Sequence, residues 1–237
     1  MYNEFEHEDD NWRPEKSKLR KIAEKTFSIG FVTLVFLVLG FLVLRLIFSK
    51  PPKDMRTMLW NGSAIAAYEE EGKDFKVTYY PSLDSFSKDS MYSISQITHI
   101  KSIGQFQATV RYNERALNYL KSDYGLEALP AGEIFVFKLR DNFGKVYTEY
   151  TYTSASKSGY GYRHVIFEGV DMDDVTTLTL EVYYIEDVSG AENAVAELLM
   201  YRYDYAPQIY FYDPPESENK DILPRPSYTD KEPAPQS

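Results

Sequence analysis

Residues 133–141 read "EIFVFKLRD", in which Phe135, Phe137 and Leu139 alternate with Val136, Lys138 and Arg140. A side-chain period of two puts the first set on one face of a β-strand and the second set on the other, whereas a helix would scatter both. The turn signal Asp141-Asn142-Phe143-Gly144 follows, and then "KVYTEYTYT" from Lys145, so these two runs are expected to form a hairpin. The same alternation recurs in "DFKVTYYP" at Phe75, Val77 and Tyr79, in "QFQATVRY" at Phe106, Ala108, Val110 and Tyr112, and in "TTLTLEVYY" at Leu178, Leu180, Val182 and Tyr184. Each run is expected to have one buried and one wet face. Ser158-Gly159-Tyr160-Gly161 and Asp171-Met172-Asp173-Asp174 supply further turns. One interruption, "NERALNYLKSDYG", reads as a helix capped by Asn113 and stopped by Gly125. In "AENAVAELLMYRYDYAP" the first half has helical propensity and the second half, Met200 to Tyr205, is β-like. A final strand continuing through "QIYFYD" is expected there. Strands at this spacing with an isolated crossover helix indicate a mainly β domain over residues 74–212, a β-sandwich of immunoglobulin-like layout, with a small barrel as the alternative.

Working outward toward the N-terminus, "TMLWNGSAIAAYEEE" from Thr57 to Glu71 reads as a short helix with Ser63 as its cap and Gly72 as its stop. Lys50-Pro51-Pro52-Lys53-Asp54 breaks the preceding helix, because proline has no amide donor, and residues 49–73 read as linker plus short helix. Before it, Phe27 to Phe48 is 22 residues with one charge, Arg45. As a helix it is about 33 Å long, enough for a hydrocarbon core of about 30 Å and too long for the apolar region of a cleaved signal. Ala64-Ile65-Ala66 has the small-x-small form of a cleavage site but lies too far beyond the run. Residues 27–48 are therefore expected to form a single-pass transmembrane helix. Arg13, Lys16, Lys18, Arg20, Lys21 and Lys25 precede it and Lys50, Lys53 and Arg56 follow, which predicts a cytoplasmic N-terminus and an extracytoplasmic β domain. "KSKLRKIAEK" places Leu19, Ile22 and Ala23 at helical spacing and extends the helix into the headgroup zone. Lys18, Arg20, Lys21, Lys25 and Arg45 are the expected membrane anchor residues. Residues 1–26 form the cytoplasmic tail; its first fifteen read as a disordered end, or as a docking peptide, since they are too few to bury a core.

Charge divides unevenly along the chain. The whole carries net −10, and residues 51–237 hold 18 Lys+Arg against 29 Asp+Glu, about −11. A surface of that sign repels nucleic acid, which is excluded as a partner. Cysteine is absent, so disulfides, thiolate metal sites and Cys nucleophiles are excluded, and an exported domain without them points to a bacterial envelope. Asn61-Gly62-Ser63 is an N-glycosylation sequon only in a host that uses one. Residues 213–237 contain six prolines and few aliphatics and are expected to be a disordered tail. "LPRPS" within it lacks the Thr-Gly and the hydrophobic tail of a wall-sorting signal.

No residue pattern identifies a chemistry, and no catalytic, cofactor or metal residue is expected. His99 and His164 stand among β-branched and apolar neighbours without a second ligand at metal spacing. Ser154-Ala155-Ser156-Lys157 and Ser85-Phe86-Ser87-Lys88 match the Ser-x-x-Lys of penicillin-recognising enzymes, but the required second motif is not placed apart from them. Asp171 to Asp174 offer carboxylates to a hard cation without the glycine and distal glutamate of an EF-hand loop, so they read as a turn. Twenty of the 21 tyrosines follow the membrane run. Tyr150, Tyr152, Tyr160 and Tyr162 are the candidate ligand-facing set, as aromatic rings that stack on sugars or form a protein-binding patch. Two readings follow: a non-catalytic scaffold or accessory subunit that binds envelope proteins, and a glycan- or peptidoglycan-binding module using the tyrosines.

Overall fold

The computed structural model describes residues 18–49, 51–80, 91–127, 133–185, 193–204, 206–211, 214–215 and 217–226, with helix side chains in the first stretch described over 25–44. The chain divides into two compact units, Met1–Lys50 and Pro51–Ser237. The first is built on α1, Lys18–Ser49, in which the basic run and the apolar run form one continuous helix. Its stretch Lys25–Leu44 is long and apolar enough to cross a membrane, and every side chain described there is exposed. Lys25 is at its foot; Lys18, Arg20, Lys21 and Arg45 are on α1, with their side chains outside the described residues. Residues 1–17 and Ser85–Lys88 also lie outside them.

The second unit is mainly β, with two antiparallel sheets. The wide sheet has the order β10-β1-β2-β3-β7-β6-β11, formed by Gln208–Tyr210, Val77–Tyr80, Tyr92–Ile100, Gln105–Asn113, Tyr160–Phe167, Thr151–Lys157 and Leu223–Pro224. The narrow sheet has the order β5-β4-β8-β9, formed by Val146–Tyr147, Phe135–Asp141, Thr177–Tyr184 and Ala196–Arg202. They share one core, in which Ile94, Phe106 and Val110 of the wide sheet join Phe137, Leu180 and Leu198 of the narrow one. Tyr112 meets Phe135 edge-on at 4.9 Å between ring centroids. As the sequence indicates, Asn113 caps α3, Glu114–Asp123, accepting from the amides of Arg115 and Ala116.

Several elements differ from the sequence reading. The hairpin after β4 pairs only Leu139 with Tyr147 and Arg140 with Val146; the chain then crosses to the wide sheet as β6. The run "SKSGYGYRH" is a hairpin, with Ser158 and Gly159 both at positive φ in the two-residue turn between β6 and β7. The final strand is two: β9 closes the narrow sheet and β10 pairs with β1. In β2 one extra residue bulges between Ser95 and Thr98, with Gln96 at φ 55, so Tyr92 and Ile94 face the core before it and Ile97 after it.

The largest departure concerns the outer face of the wide sheet. Strands β3 and β7 are largely buried on both faces, because the chain from Met55 to Asn61 lies over them. Met58, Trp60, Ala64 and Ala67 pack with Phe75, Val77 and Ile100, and Trp60 stacks on Phe75 at 5.6 Å. Residues 51–73 therefore belong to the domain and are not a linker. The helix expected over Thr57–Glu71 is α2, Gly62–Glu71, and its cap is Asn61, whose side chain accepts from the Ala64 amide, in place of Ser63.

Candidate functional site: a polar seam and the strap beside it

A covering segment of irregular chain brings amide and carbonyl groups onto the sheet, and buried backbone groups need partners. The outward residues of β3 and β7 meet that need. Gln107 Oε1 accepts from the Leu59 amide and Gln107 Nε2 donates to the Leu59 carbonyl, both at 2.8 Å, as a strand neighbour would. The same Nε2 donates to Gln105 Oε1 at 2.8 Å. Gln105 Nε2 reaches Asn61 Oδ1 at 3.1 Å and Glu168 Oε1 at 2.9 Å, and Asn61 Nδ2 donates to Glu168 Oε1 at 2.7 Å. At the other end Thr109 Oγ1 lies 2.9 Å from the Met55 carbonyl and 2.9 Å from His164 Nδ1.

His164 is fully enclosed, and burial pushes its pKa down to about 3. The orientation of Gln107 is set by Leu59, so its Oε1, 3.0 Å from His164 Nε2, can only accept. The neutral ring therefore carries its proton on Nε2, an assignment made from the bonding pattern, and its Nδ1 competes with the Met55 carbonyl for the single hydroxyl proton of Thr109. His164 is a structural member of the seam. His99 faces the core, stacked on Phe106 at 4.1 Å, and burial followed by the charge of Lys101 lowers its pKa to about 4.

The four tyrosines singled out from sequence do not form a surface. Tyr150, Tyr152 and Tyr162 are buried, the first two in the inter-sheet core and Tyr162 under the covering segment, and burial pushes the Tyr150 phenol up to about 12. Only Tyr160 is exposed, with the Arg111 guanidinium 4.8 Å from its ring centroid. Enclosed rings cannot stack on a sugar, which removes the expected patch. Ser154 to Lys157 belong to strand β6, with Ser156 hydrogen-bonded to Glu114. Asp171 turns the chain by accepting from the Asp173 amide, and Asp174 takes positive φ, so this acidic run is a turn.

Sequence reasoning missed the strap formed by residues 217–226, which was expected to be disordered; residues 227–237 lie outside the described residues. Asn219 and Trp60 exchange two bonds: the Trp60 amide donates to Asn219 Oδ1 at 2.6 Å and the Asn219 amide to the Trp60 carbonyl at 2.9 Å. The Gly62 amide at the start of α2 donates to Glu218 Oε1 at 3.2 Å. Leu223 and Pro224 pair with Tyr152 and Thr151 as β11. Arg225 donates its amide to the Tyr150 carbonyl at 3.0 Å and Nη1 to the Thr148 carbonyl at 3.1 Å. Between strap and domain is a groove of about 770 Å³ lined by Asn61, Ser63, Thr151, Glu168, Glu218 and Ile222 among others. The strap is held by hydrogen bonds more than by burial, since Glu218, Asn219 and Leu223 remain exposed. Each such bond is worth about 0.5–1.5 kcal/mol net.

No protein-family model matches the chain, nor does any curated protein or solved structure.

Proposed function

We propose that this chain is a non-catalytic, single-pass membrane protein whose extracytoplasmic domain binds other cell-envelope proteins as a scaffold or accessory subunit. The observation that carries the reading is strand addition: both edges of the wide sheet take short segments from the last thirty residues, β10 on β1 and β11 on β6. A domain that pairs extended chain through its own main chain is equipped to pair a partner's in the same way. The apolar length of α1 supports the anchor, and six basic residues before the run against three after it support a cytoplasmic N-terminus.

The domain has an immunoglobulin-like layout in this reading. The orders β2-β3-β7-β6 and β5-β4-β8-β9 support it, since they follow A-B-E-D and C′-C-F-G of that fold, with β1 and β10 added beyond A and β11 beyond D. The glycan-binding alternative keeps Tyr160 alone of its four tyrosines at the surface and has no observation of its own.

The test uses the full chain in its native membrane with a photo-reactive side chain at Ser154, on the wide sheet's edge, and at exposed Phe143 as control. A discrete protein adduct at Ser154 and none at Phe143 is expected. Equal, diffuse labelling at both positions counts against a protein-binding edge.

A further inference from the structure

We propose that the seat of the strap is a peptide-recognition groove, that its present occupant is the chain's own C-terminal segment acting as a ligand in cis, and that an extended segment with the pattern Glu-Asn-x-x-x-Leu-Pro-Arg from a partner protein takes the same seat. This rests on the protein-binding reading above and names its site and ligand chemistry.

Four separate contacts read the strap. The carboxylate of Glu218 meets the Gly62 amide at the start of α2. The side-chain oxygen and main-chain amide of Asn219 pair with the amide and carbonyl of Trp60, a bidentate match that needs a short side chain ending in an acceptor oxygen. Leu223 and Pro224 add to β6, and Arg225 spans the carbonyls of Tyr150 and Thr148. The protein side is mostly backbone held by buried structure: Trp60 is fixed by its stack on Phe75, and Asn61 by Ala64, Gln105 and Glu168. A rigid seat and an occupant bonded at its surface, with most of its side chains exposed and Ile222, Arg225 and Pro226 half-buried, describe a preformed site with an exchangeable ligand.

The edge of β6 continues past the strap. Since the Tyr150 carbonyl accepts from Arg225, alternation turns the main-chain groups of Tyr152, Ser154 and Ser156 outward as well, and β11 pairs only as far as Tyr152. Tethering gives the cis strap an effective concentration near millimolar, so the wild-type chain masks its own groove.

The experiment is fluorescence anisotropy of a labelled peptide copy of residues 216–227, "ESENKDILPRPS", with the full chain in nanodiscs. The chain carrying Asn219→Ala and Arg225→Ala, whose cis strap is weakened, is expected to bind this peptide at least tenfold more tightly than the wild-type chain. A peptide with the same two substitutions is expected to bind neither chain. Absence of binding to the variant chain, or equal binding of both peptides, overturns the proposal. Hydrogen exchange on the wild-type chain gives an independent reading. Amides of Asn219 and Arg225 exchanging well ahead of those in β3 support an exchangeable strap, and exchange only with β3 overturns it. A chain that binds the peptide but yields no adduct at Ser154 keeps the groove and loses the envelope-scaffold role; the converse loses the groove alone.

Discussion

At the scale of single residues, Gly161 shows how tightly the inter-sheet core is closed. It pairs with Tyr112 across β3 and β7, and a Cβ added there would stand 2.1 Å from the Tyr112 ring. That ring is itself pressed on Phe135 and has nowhere to retreat. Gly161→Ala should therefore cost about 3 kcal/mol, near the upper end for overpacking, read as a lowered urea midpoint with unchanged slope. Replacing Tyr112 by Leu in the same chain should recover part of the loss. The two buried histidines predict a pH dependence. Both have folded pKa values below the ordinary 6.5, about 4 for His99 and about 3 for His164, so the fold prefers them neutral. Below pH 6.5 the unfolded chain takes up the protons first. Stability is thus complete above that pH and is lost on acidification, by at most about 1.4 kcal/mol per pH unit for each histidine. Urea midpoints at pH 7.5, 6 and 5 should fall in that order, and His99→Phe, which keeps the stack on Phe106, should flatten the fall. Neither role was legible beforehand. "SQITHIKS" and "GYRHVIF" show apolar neighbours but not that one histidine faces the core and the other a covering chain.

At the scale of elements, the edge strand β6 permits a test by parity. Ser154 directs its amide away from β7, whereas Thr153 pairs with His164 and directs its amide into the ladder. Proline lacks that donor, so Ser154→Pro should change the melting temperature little, while Thr153→Pro should unfold or strongly destabilise the domain by about 3 kcal/mol or more. Equal effects would mean that the register is wrong. The start of α2 supplies a second contrast. Asn61→Ala removes the cap and two seam bonds and should cost about 2 kcal/mol or more, whereas Ser63→Ala should be close to neutral in thermal melts. Propensity does not separate these two candidates, since both residue types cap well; what selects Asn61 is a carboxamide that can accept from Ala64 while donating to Glu168. Strands β3, β4 and β8 and helix α3 were readable because their periodicity is unbroken. Strand β2 was not, because the bulge at Gln96 shifts its apolar phase by one residue, from Tyr92 and Ile94 to Ile97.

At the scale of the molecule, the polar outer face of the wide sheet carries the main lesson about what alternation can mean. Gln105, Gln107 and Thr109 alternate with Phe106, Ala108 and Val110, a pattern that ordinarily marks a solvated face. Here the same polarity serves a buried layer of main chain, and sequence periodicity carries no sign of which solvent, water or peptide, a polar face will meet. The strap escaped notice for a related reason: its six-proline surroundings hold few apolar residues, yet it needs few, because its contacts are hydrogen bonds to a seat that others have built. The consequence is a sharp expectation about where the folding unit begins. A chain starting at residue 74, where the alternating strands begin, would lose Met55, Met58, Leu59 and Trp60, all buried, together with the partners of Gln107 and Thr109. At about 1.5–3 kcal/mol for each buried side chain, that loss is about 6–12 kcal/mol, comparable with the whole stability of an ordinary domain. Residues 51–226 should therefore melt cooperatively as a soluble monomer, while residues 74–226 should aggregate or show no cooperative transition. If the shorter piece instead melts within a few degrees of the longer one, the covering layer contributes little, and the seam would be a detachable flap on a sheet that is stable without it.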